Sequence, residues 1–145
     1  GMKVTKPWRI RAWTYTFFAM PRMLKHLERH REAGLLSYHL YLVPSPLVVT
    51  YWRSAADIQA FAADSAAPHR PAWQWFNKHF ADQNAVGIWH ETYEIDRHET
   101  INSGMPPWGL SKAVGRRPIA AGSRTAAQRM AASGVNAPGR APAAS

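Results

Sequence analysis

The clearest periodic segment of the chain predicts an amphipathic helix over residues 20–34. Met23, Leu24 and Leu27 recur at helical spacing, and charged side chains fill most of the positions around them. Gly34 is a natural stop, because glycine readily adopts the left-handed backbone that ends many helices. The apolar stripe occupies one face only, so we expect this helix to pack on another element.

Two β-rich segments follow this helix. Residues 35–43 alternate in a way that is typical of a strand, and residues 47–54 form a second run rich in β-branched and aromatic side chains. A Pro-Ser-Pro break at residues 44–46 separates the two. The pattern therefore predicts an antiparallel hairpin.

The next part of the chain predicts an interrupted helix and then a strand. Ser54 is a plausible N-cap for a helix over residues 55–64, since its hydroxyl can accept a bond from a free helical N–H. A segment broken by two prolines leads into a second short helix over residues 72–80. Residues 85–95 then read as a largely apolar strand.

His90 and Glu91 stand side by side in the middle of that last predicted strand. In a regular strand they point to opposite faces. Both faces would then be covered, and each would carry one polar group that needs a partner. Two interpretations stay open: the pair forms hydrogen bonds at a buried seam, or one of the two faces a ligand.

The order of elements predicts an α+β fold of the ferredoxin-like type. Helix, strand, strand, interrupted helix and strand would become βαββαβ if one further strand came first. Residues 8–17 alternate between apolar and polar positions and are a candidate for that strand.

The charge of the chain is concentrated near one end. The net charge of the 145 residues is +9, yet residues 1–109 contain 12 Lys and Arg against 9 acids, and residues 110–145 contain 6 Lys and Arg and no acid. We therefore expect a domain over residues 1–110, followed by a basic, Ala/Arg/Pro-rich disordered tail over residues 111–145. Specific nucleic-acid binding is not predicted, because the basicity belongs mostly to the tail.

Several classes of site lack support in the sequence. The absence of Cys excludes disulfides and thiolate chemistry. No phosphate-binding glycine loop or Ser-His-Asp motif is present. His26 and His30 have a spacing that can hold a metal, but cations surround them, so no metal site is predicted. No run is long enough to span a membrane and no signal peptide is recognisable, so a cytoplasmic location is expected.

Six short motifs then point to a known family. The chain resembles bacterial and fungal "monooxygenase family" proteins, which are similar to the antibiotic-biosynthesis-type monooxygenase of the fungal fumagillin pathway. The resemblance covers residues 1–110 and implies a dimeric α/β barrel, in which two ferredoxin-like protomers pair their sheets and each has a pocket between sheet and helices. The motifs, in order, are "AMPRML", "GLLSYHL", "VVTYWRS", "HRPAWQWFN", "AVGIWHETY" and "MPPWGL".

The resemblance also raises a question about the first strand. "GMKVTKPW" at residues 1–8 matches the end of the first strand in family members, so that strand would be truncated here. Residues 8–19 would then connect into the first helix. The alternative is that residues 8–17 supply a substitute strand.

Three residues are candidates for catalysis. His69 or His90 would be the base, and two nearby prolines would restrict the backbone around His69. Arg53 would steady a developing oxyanion, or would pair with Asp57 four residues on. The structural alternative for His69 is a loop histidine that caps a helix end. The candidate ligand-binding residues are Trp52, Trp73, Trp89, Glu91 and Tyr93, of which the tryptophans also suit a core.

The resemblance favours a small monooxygenase that acts on an apolar or aromatic small molecule as a homodimer. Such an enzyme would either use haem or need no cofactor at all. In haem-using members of the wider barrel superfamily a helix-borne histidine holds the iron, and His69 lies in the comparable region. The alternatives are a non-catalytic binder of haem or another hydrophobic ligand, and a degenerate dimerisation domain.

Overall fold

The order of elements confirms the predicted α+β, ferredoxin-like class. The computed structural model describes residues 1–80, 84–116, 119 and 123–133, and the chain forms two units, Gly1–Thr92 and Tyr93–Ser145. A single 3₁₀ turn, Arg31–Ala33, follows the first helix. The elements of the first unit are β1 (Met2–Val4), α1 (Ile10–Arg29), β2 (Leu35–Tyr41), β3 (Leu47–Trp52), α2 (Ala55–Ala63), α3 (His69–Phe80) and β4 (Val86–Ile88).

The strands form two antiparallel pairs. β2 and β3 make the predicted hairpin, in which Leu40 lies opposite Val48. β1 pairs with β4, so that Met2 lies opposite Ile88. The N–H of Met2 also donates to the carbonyl oxygen of Pro46, at 3.0 Å. This bond ties β1 to the residue just before β3, while the two strand pairs remain separate two-stranded sheets.

The first helix is longer than predicted, and residues 8–17 are not a substitute strand. α1 begins at Ile10, so most of the segment 8–19 is helical rather than a connector. The alternating pattern was misleading because Trp13, Tyr15 and Phe17 all pack, half-buried, against the core formed with α3 and β4. This tertiary packing outweighs their β propensity. The first strand is the three-residue β1.

The last predicted strand is much shorter than its apolar pattern. β4 covers only Val86–Ile88, and the backbone pairing with the first strand ends where Trp89 exchanges hydrogen bonds with Gly1, at 2.9 and 3.0 Å. His90 and Glu91 therefore lie beyond the strand and not at its centre. The prediction was wrong here because a strand extends only as far as a neighbour offers backbone partners.

Two clusters of buried side chains form the core of the first unit. Leu27, which is 1% exposed, packs with Phe61 and Ala67 in one of them, so the predicted stripe on the first helix is confirmed. The other cluster joins the first helix to the third helix and to the β1–β4 pair. Gly34 has φ of +93° and ends the 3₁₀ turn, as expected of a left-handed stop.

The two helices after the hairpin begin with identifiable signals. The Oγ atom of Ser54 accepts a hydrogen bond from the N–H of Asp57 at 3.1 Å, which confirms the predicted cap. α3 begins at His69, three residues before the predicted start. Pro71 is tolerated there because the first four N–H groups of a helix have no intrahelical partner. His69 thus lies in a helical turn and not in a break.

The second unit contains two short helices, α4 (Leu110–Val114) and α5 (Ala126–Ser133). Arg129 pairs with Glu99 at 2.8 Å. Both helices lie largely within the segment whose composition predicts disorder, and residues 117–118, 120–122 and 134–145 of that segment lie outside the described residues. Over the described part of the chain, no helix is both long and apolar enough to cross a membrane.

Candidate functional site

A cavity of about 120 Å³ lies in the first unit between the first helix, the sheet and the third helix. α1 contributes Tyr15, Ala19 and Met23, which are spaced four residues apart and so share one helical face. Met20 lies beside them. Methionine side chains are flexible and polarisable, so this wall can adapt to ligands of different shape.

The sheet and the third helix complete the apolar walls. Leu40 and Val48 are direct cross-strand partners, so their side chains lie on the same face of the hairpin. α3 contributes Ala72, Trp73 and Phe76. Since most of the lining is apolar, the site favours a hydrophobic ligand.

His69 brings an imidazole to this wall from the first turn of α3. Its Nδ1 atom is buried and has no hydrogen-bond partner among the described residues. The ring lies 6.0 Å from that of Phe61. A buried polar atom without a partner costs free energy and is uncommon outside functional sites, which makes His69 a candidate for ligand contact.

His90 brings a second imidazole, from the chain just beyond β4. Its ring stands edge-on to Trp73, with centroids 6.4 Å apart. Although His90 is exposed as a residue, desolvation of the imidazole lowers its pKa, and the positive charges of the Gly1 amino group and of His69 lower it further. The neutral imidazole, which can accept a proton, is therefore favoured.

Arg53 and Trp52 are two of the five predicted residues that do not line the cavity. Arg53 binds Asp57 through two hydrogen bonds of 2.7 and 3.0 Å, so the structure shows the pairing alternative. The hydrogen bonds from Arg53 and Ser54 lower the pKa of the Asp57 carboxyl. Trp52 packs on Phe61 in the second core cluster, and its indole N–H donates to Thr50.

The remaining predicted residues have different environments. Trp73 lines the cavity with the two histidines. Trp89 closes the β1–β4 pairing, with its ring against Gly1. Glu91 is exposed in the first unit, and Tyr93 is exposed at the start of the second. Of the predicted set, the structure brings together His69, Trp73 and His90.

The wall that comes from the first helix was not predicted. Tyr15 lies in the segment predicted as a strand or a connector, and Met20 and Met23 lie in the predicted helix but were expected to serve its packing and not a site. The signal was nevertheless present: Tyr15, Ala19 and Met23 continue the helical spacing of the stripe toward the N-terminal side.

The apolar cavity is too small to enclose a porphyrin, which is several times larger than its volume of about 120 Å³. A histidine that ligates a metal usually donates its other ring N–H to an orienting acceptor, and Nδ1 of His69 has none among the described residues. Within the described residues, no group of three or more His, Asp or Glu side chains is placed to hold a metal ion.

The fold and the cavity define a small ferredoxin-like domain with an apolar cavity. A scan against known families matches residues 1–110 to the family described as Monooxygenase af470-like. The chain belongs to this family, and its matched region is a monooxygenase-like domain. Neither the curated proteins nor the solved structures give a match.

Proposed function

We propose that the first unit is a small monooxygenase that oxidises an activated carbon of an apolar or aromatic molecule and needs no cofactor for this step. The observation that carries the proposal is the pair of imidazoles, His69 and His90, on the wall of an otherwise apolar cavity. Membership of a monooxygenase-like family supports the same reaction class.

The first step is the removal of a proton from a carbon beside a carbonyl group. His90 is the favoured base because its lowered pKa keeps the imidazole neutral at neutral pH. His69 lies on the same wall, where it can hydrogen-bond to the carbonyl or to the enolate oxygen that forms.

The carbanion then reacts directly with dioxygen. A CH₂ group and O₂ give a C=O group and water: one oxygen atom enters the product and the other leaves as water. The substrate carbon supplies the four electrons that reduce dioxygen, so no external reductant is required. The apolar walls keep bulk water away from the carbanion, which would otherwise be reprotonated.

The volume of the cavity limits the substrate. Ligand pockets usually have about 300–1,000 Å³, and this cavity has about 120 Å³. A single ring fits inside, and a larger molecule has to extend through the mouth. Trp73 and Phe76 offer aromatic surfaces against which a flat ring can pack.

The test uses 2-indanone, an aromatic ketone with an activated CH₂ group. Under anaerobic conditions in D₂O, the protein should accelerate deuterium incorporation at that carbon, and in air it should consume one O₂ per diketone formed. His90→Gln should lose both activities. His79→Gln is the matched control, because His79 is exposed on the third helix and does not line the cavity.

The same experiment separates this proposal from the alternatives. Saturable binding of aromatic ketones with neither deuterium exchange nor oxygen uptake would indicate a non-catalytic hydrophobic-ligand binder. Deuterium exchange without oxygen uptake would support His90 as the base and would contradict the proposed oxygenase activity. If the control variant loses as much activity as His90→Gln, the imidazole on the cavity wall is not the base.

We also propose that the functional form is a homodimer. β2 pairs only with β3 in the described part of the chain, so its other edge offers backbone groups to a second copy. Leu36, Leu42 and Val43 are exposed along or just after this strand, at 47%, 53% and 85%. Sedimentation equilibrium should give twice the chain mass, and Leu42→Lys should shift the equilibrium to monomer.

A further inference from the structure

A second depression in the first unit is lined mainly by basic side chains. α1 contributes four of them, His30 follows directly after the helix, and the connection from α2 to α3 contributes Ala66 and Pro68. We call this depression, of about 380 Å³, the basic crevice. Its basic residues are Arg22, Lys25, His26, Arg29 and His30.

The positive charge of the basic crevice is not neutralised by its own lining. No carboxylate is among the described residues that form it. Glu28, on the same helix, accepts a hydrogen bond from the Tyr38 hydroxyl at 2.7 Å, on the side of β2. Arg22, Lys25 and Arg29 therefore lie within about two turns of helix, and no Asp or Glu is among the described residues that line the basic crevice. Such an arrangement attracts anions.

The two histidines of the basic crevice are held in place. Their rings stack with centroids 4.1 Å apart, and Nδ1 of His30 lies 2.9 Å from the carbonyl oxygen of His26. The stacked pair adds planar surface and ring nitrogens to a group of flexible cationic side chains.

The basic crevice adjoins the apolar cavity. Pro68 lines both, and the next residue along the chain, His69, belongs to the cavity wall. On the first helix, Met23 lines the cavity and His26 lines the basic crevice. These two residues are separated by about 4.5 Å of helix axis. The cavity and the basic crevice therefore share Pro68 as a common wall.

We propose that the basic crevice binds a phosphate-type anionic group of a ligand whose apolar or aromatic part occupies the cavity. The inference rests on the proposed function, since it names the class of substrate as an aromatic or apolar phosphoester. A phosphate group carries about −1.5 to −2 charges and three acceptor oxygens at neutral pH. Arg22 and Arg29 can each bind two of those oxygens, and Lys25 adds a point charge.

A small ligand explains the geometry better than a nucleic acid does. The described cations of the basic crevice occupy a short patch of one helix, whereas a duplex is bound through phosphates spread along its length. Residues 1–109 as a whole contain 12 Lys and Arg against 9 Asp and Glu, a difference of only three. The neighbouring apolar cavity also has no role in binding a phosphate backbone.

The test compares phenyl phosphate, phenol and inorganic phosphate by NMR titration of the full chain. Phenyl phosphate should bind at least about tenfold more tightly than phenol, because hydrogen bonds to charged groups are worth about 1.5–3 kcal/mol. Replacing Arg22, Lys25 and Arg29 together by Gln should remove that gain and leave phenol affinity within about twofold of wild type. These side chains are exposed, so the fold should be kept.

A matched triple variant separates a local site from general charge attraction. Lys3, Arg9 and Arg11 are exposed and lie outside the basic crevice, and changing them to Gln removes the same charge. The inference is overturned if this control weakens phenyl phosphate binding equally, or if phenyl phosphate binds no more tightly than phenol. A third outcome is that the protein binds a DNA duplex, loses this binding in the crevice variant, and binds phenyl phosphate no more tightly than phenol. The basic crevice would then be a nucleic-acid site and not a small-molecule phosphate site.

The two experiments distinguish a failure of the proposed oxygenase function from a failure of the phosphate-binding inference. If the domain is no oxygenase, 2-indanone is not oxidised, while the phenyl phosphate gain and its loss in the crevice variant remain. If only the basic crevice is misassigned, oxygen uptake with 2-indanone remains and the phosphate gain is absent.

Discussion

Filling the cavity from inside should block ligand binding without unfolding the protein, and Ala72→Leu is the sharpest way to do so. Ala72 lies on the third helix, is half-buried, and lines the cavity. Ala and Leu are both strong helix formers, so the helix itself should change little. The isobutyl side chain of leucine would replace the methyl group of Ala72 and extend into the apolar cavity that Ala72 lines.

The size of the effect follows from the cavity. Empty space in a core costs about 24 cal/mol per Å³, so a closed cavity of about 120 Å³ would correspond to about 3 kcal/mol. This cavity is open to solvent on one side, and burial of a leucine side chain is worth about 1.5–3 kcal/mol when complete. Because burial is incomplete, we expect about half of the lower limit, which is a gain of about 0.75 kcal/mol in the free energy of unfolding.

The assay combines urea denaturation with phenol titration. Ala72→Leu should keep or raise the free energy of unfolding and weaken phenol binding at least about tenfold, because the ring and the leucine compete for one space. Ala62→Leu is the matched control, since Ala62 is exposed on the second helix and should change neither quantity. Unchanged phenol binding would show that the ligand lies elsewhere, and a loss of more than about 2 kcal/mol would show that there is no room to fill.

Three further predictions concern stability. The ordinary pKa of histidine is 6.5, and as the pH falls below this value the wild type should lose stability faster than His90→Gln. The reason is that the lowered pKa of His90 keeps the folded imidazole neutral while the unfolded chain binds a proton, so acid favours the unfolded state. Equal slopes of melting temperature against pH would contradict this. Leu27→Ala should cost about 3 kcal/mol in urea denaturation, against less than about 0.5 kcal/mol for Ile10→Ala, since Ile10 is exposed. Ser54→Ala should cost about 1 kcal/mol through the lost cap, and no change would mean that the cap is redundant.

In the proposed function, the apolar cavity and the basic crevice would together let one small domain select an amphipathic substrate. The apolar cavity favours a ring or chain through burial, which has little directional preference. The basic crevice, a short distance away, would select among such molecules by charge. Arg53, in contrast, is occupied by Asp57 and lies outside the cavity, so we expect Arg53→Gln to leave phenol binding unchanged.

Elements with strong local signals were predictable from the sequence. The stripe of Leu24 and Leu27, the Pro-Ser-Pro hairpin and the Ser54 cap each depend on residues within a few positions of one another, and all appear in the structure. The histidines were also identifiable as candidates, since an ionisable residue in an apolar context needs a physical reason.

The elements that were mispredicted depend on partners far away in the chain. The aromatic segment 13–17 is helical because it packs on the third helix and on the β1–β4 pair, and the last strand, Val86–Ile88, is defined by its pairing with the distant β1. The cavity likewise exists only when residues near 2, 15, 72 and 90 meet. Such encounters are set by the packing of whole elements, which the pattern along one stretch of sequence does not contain.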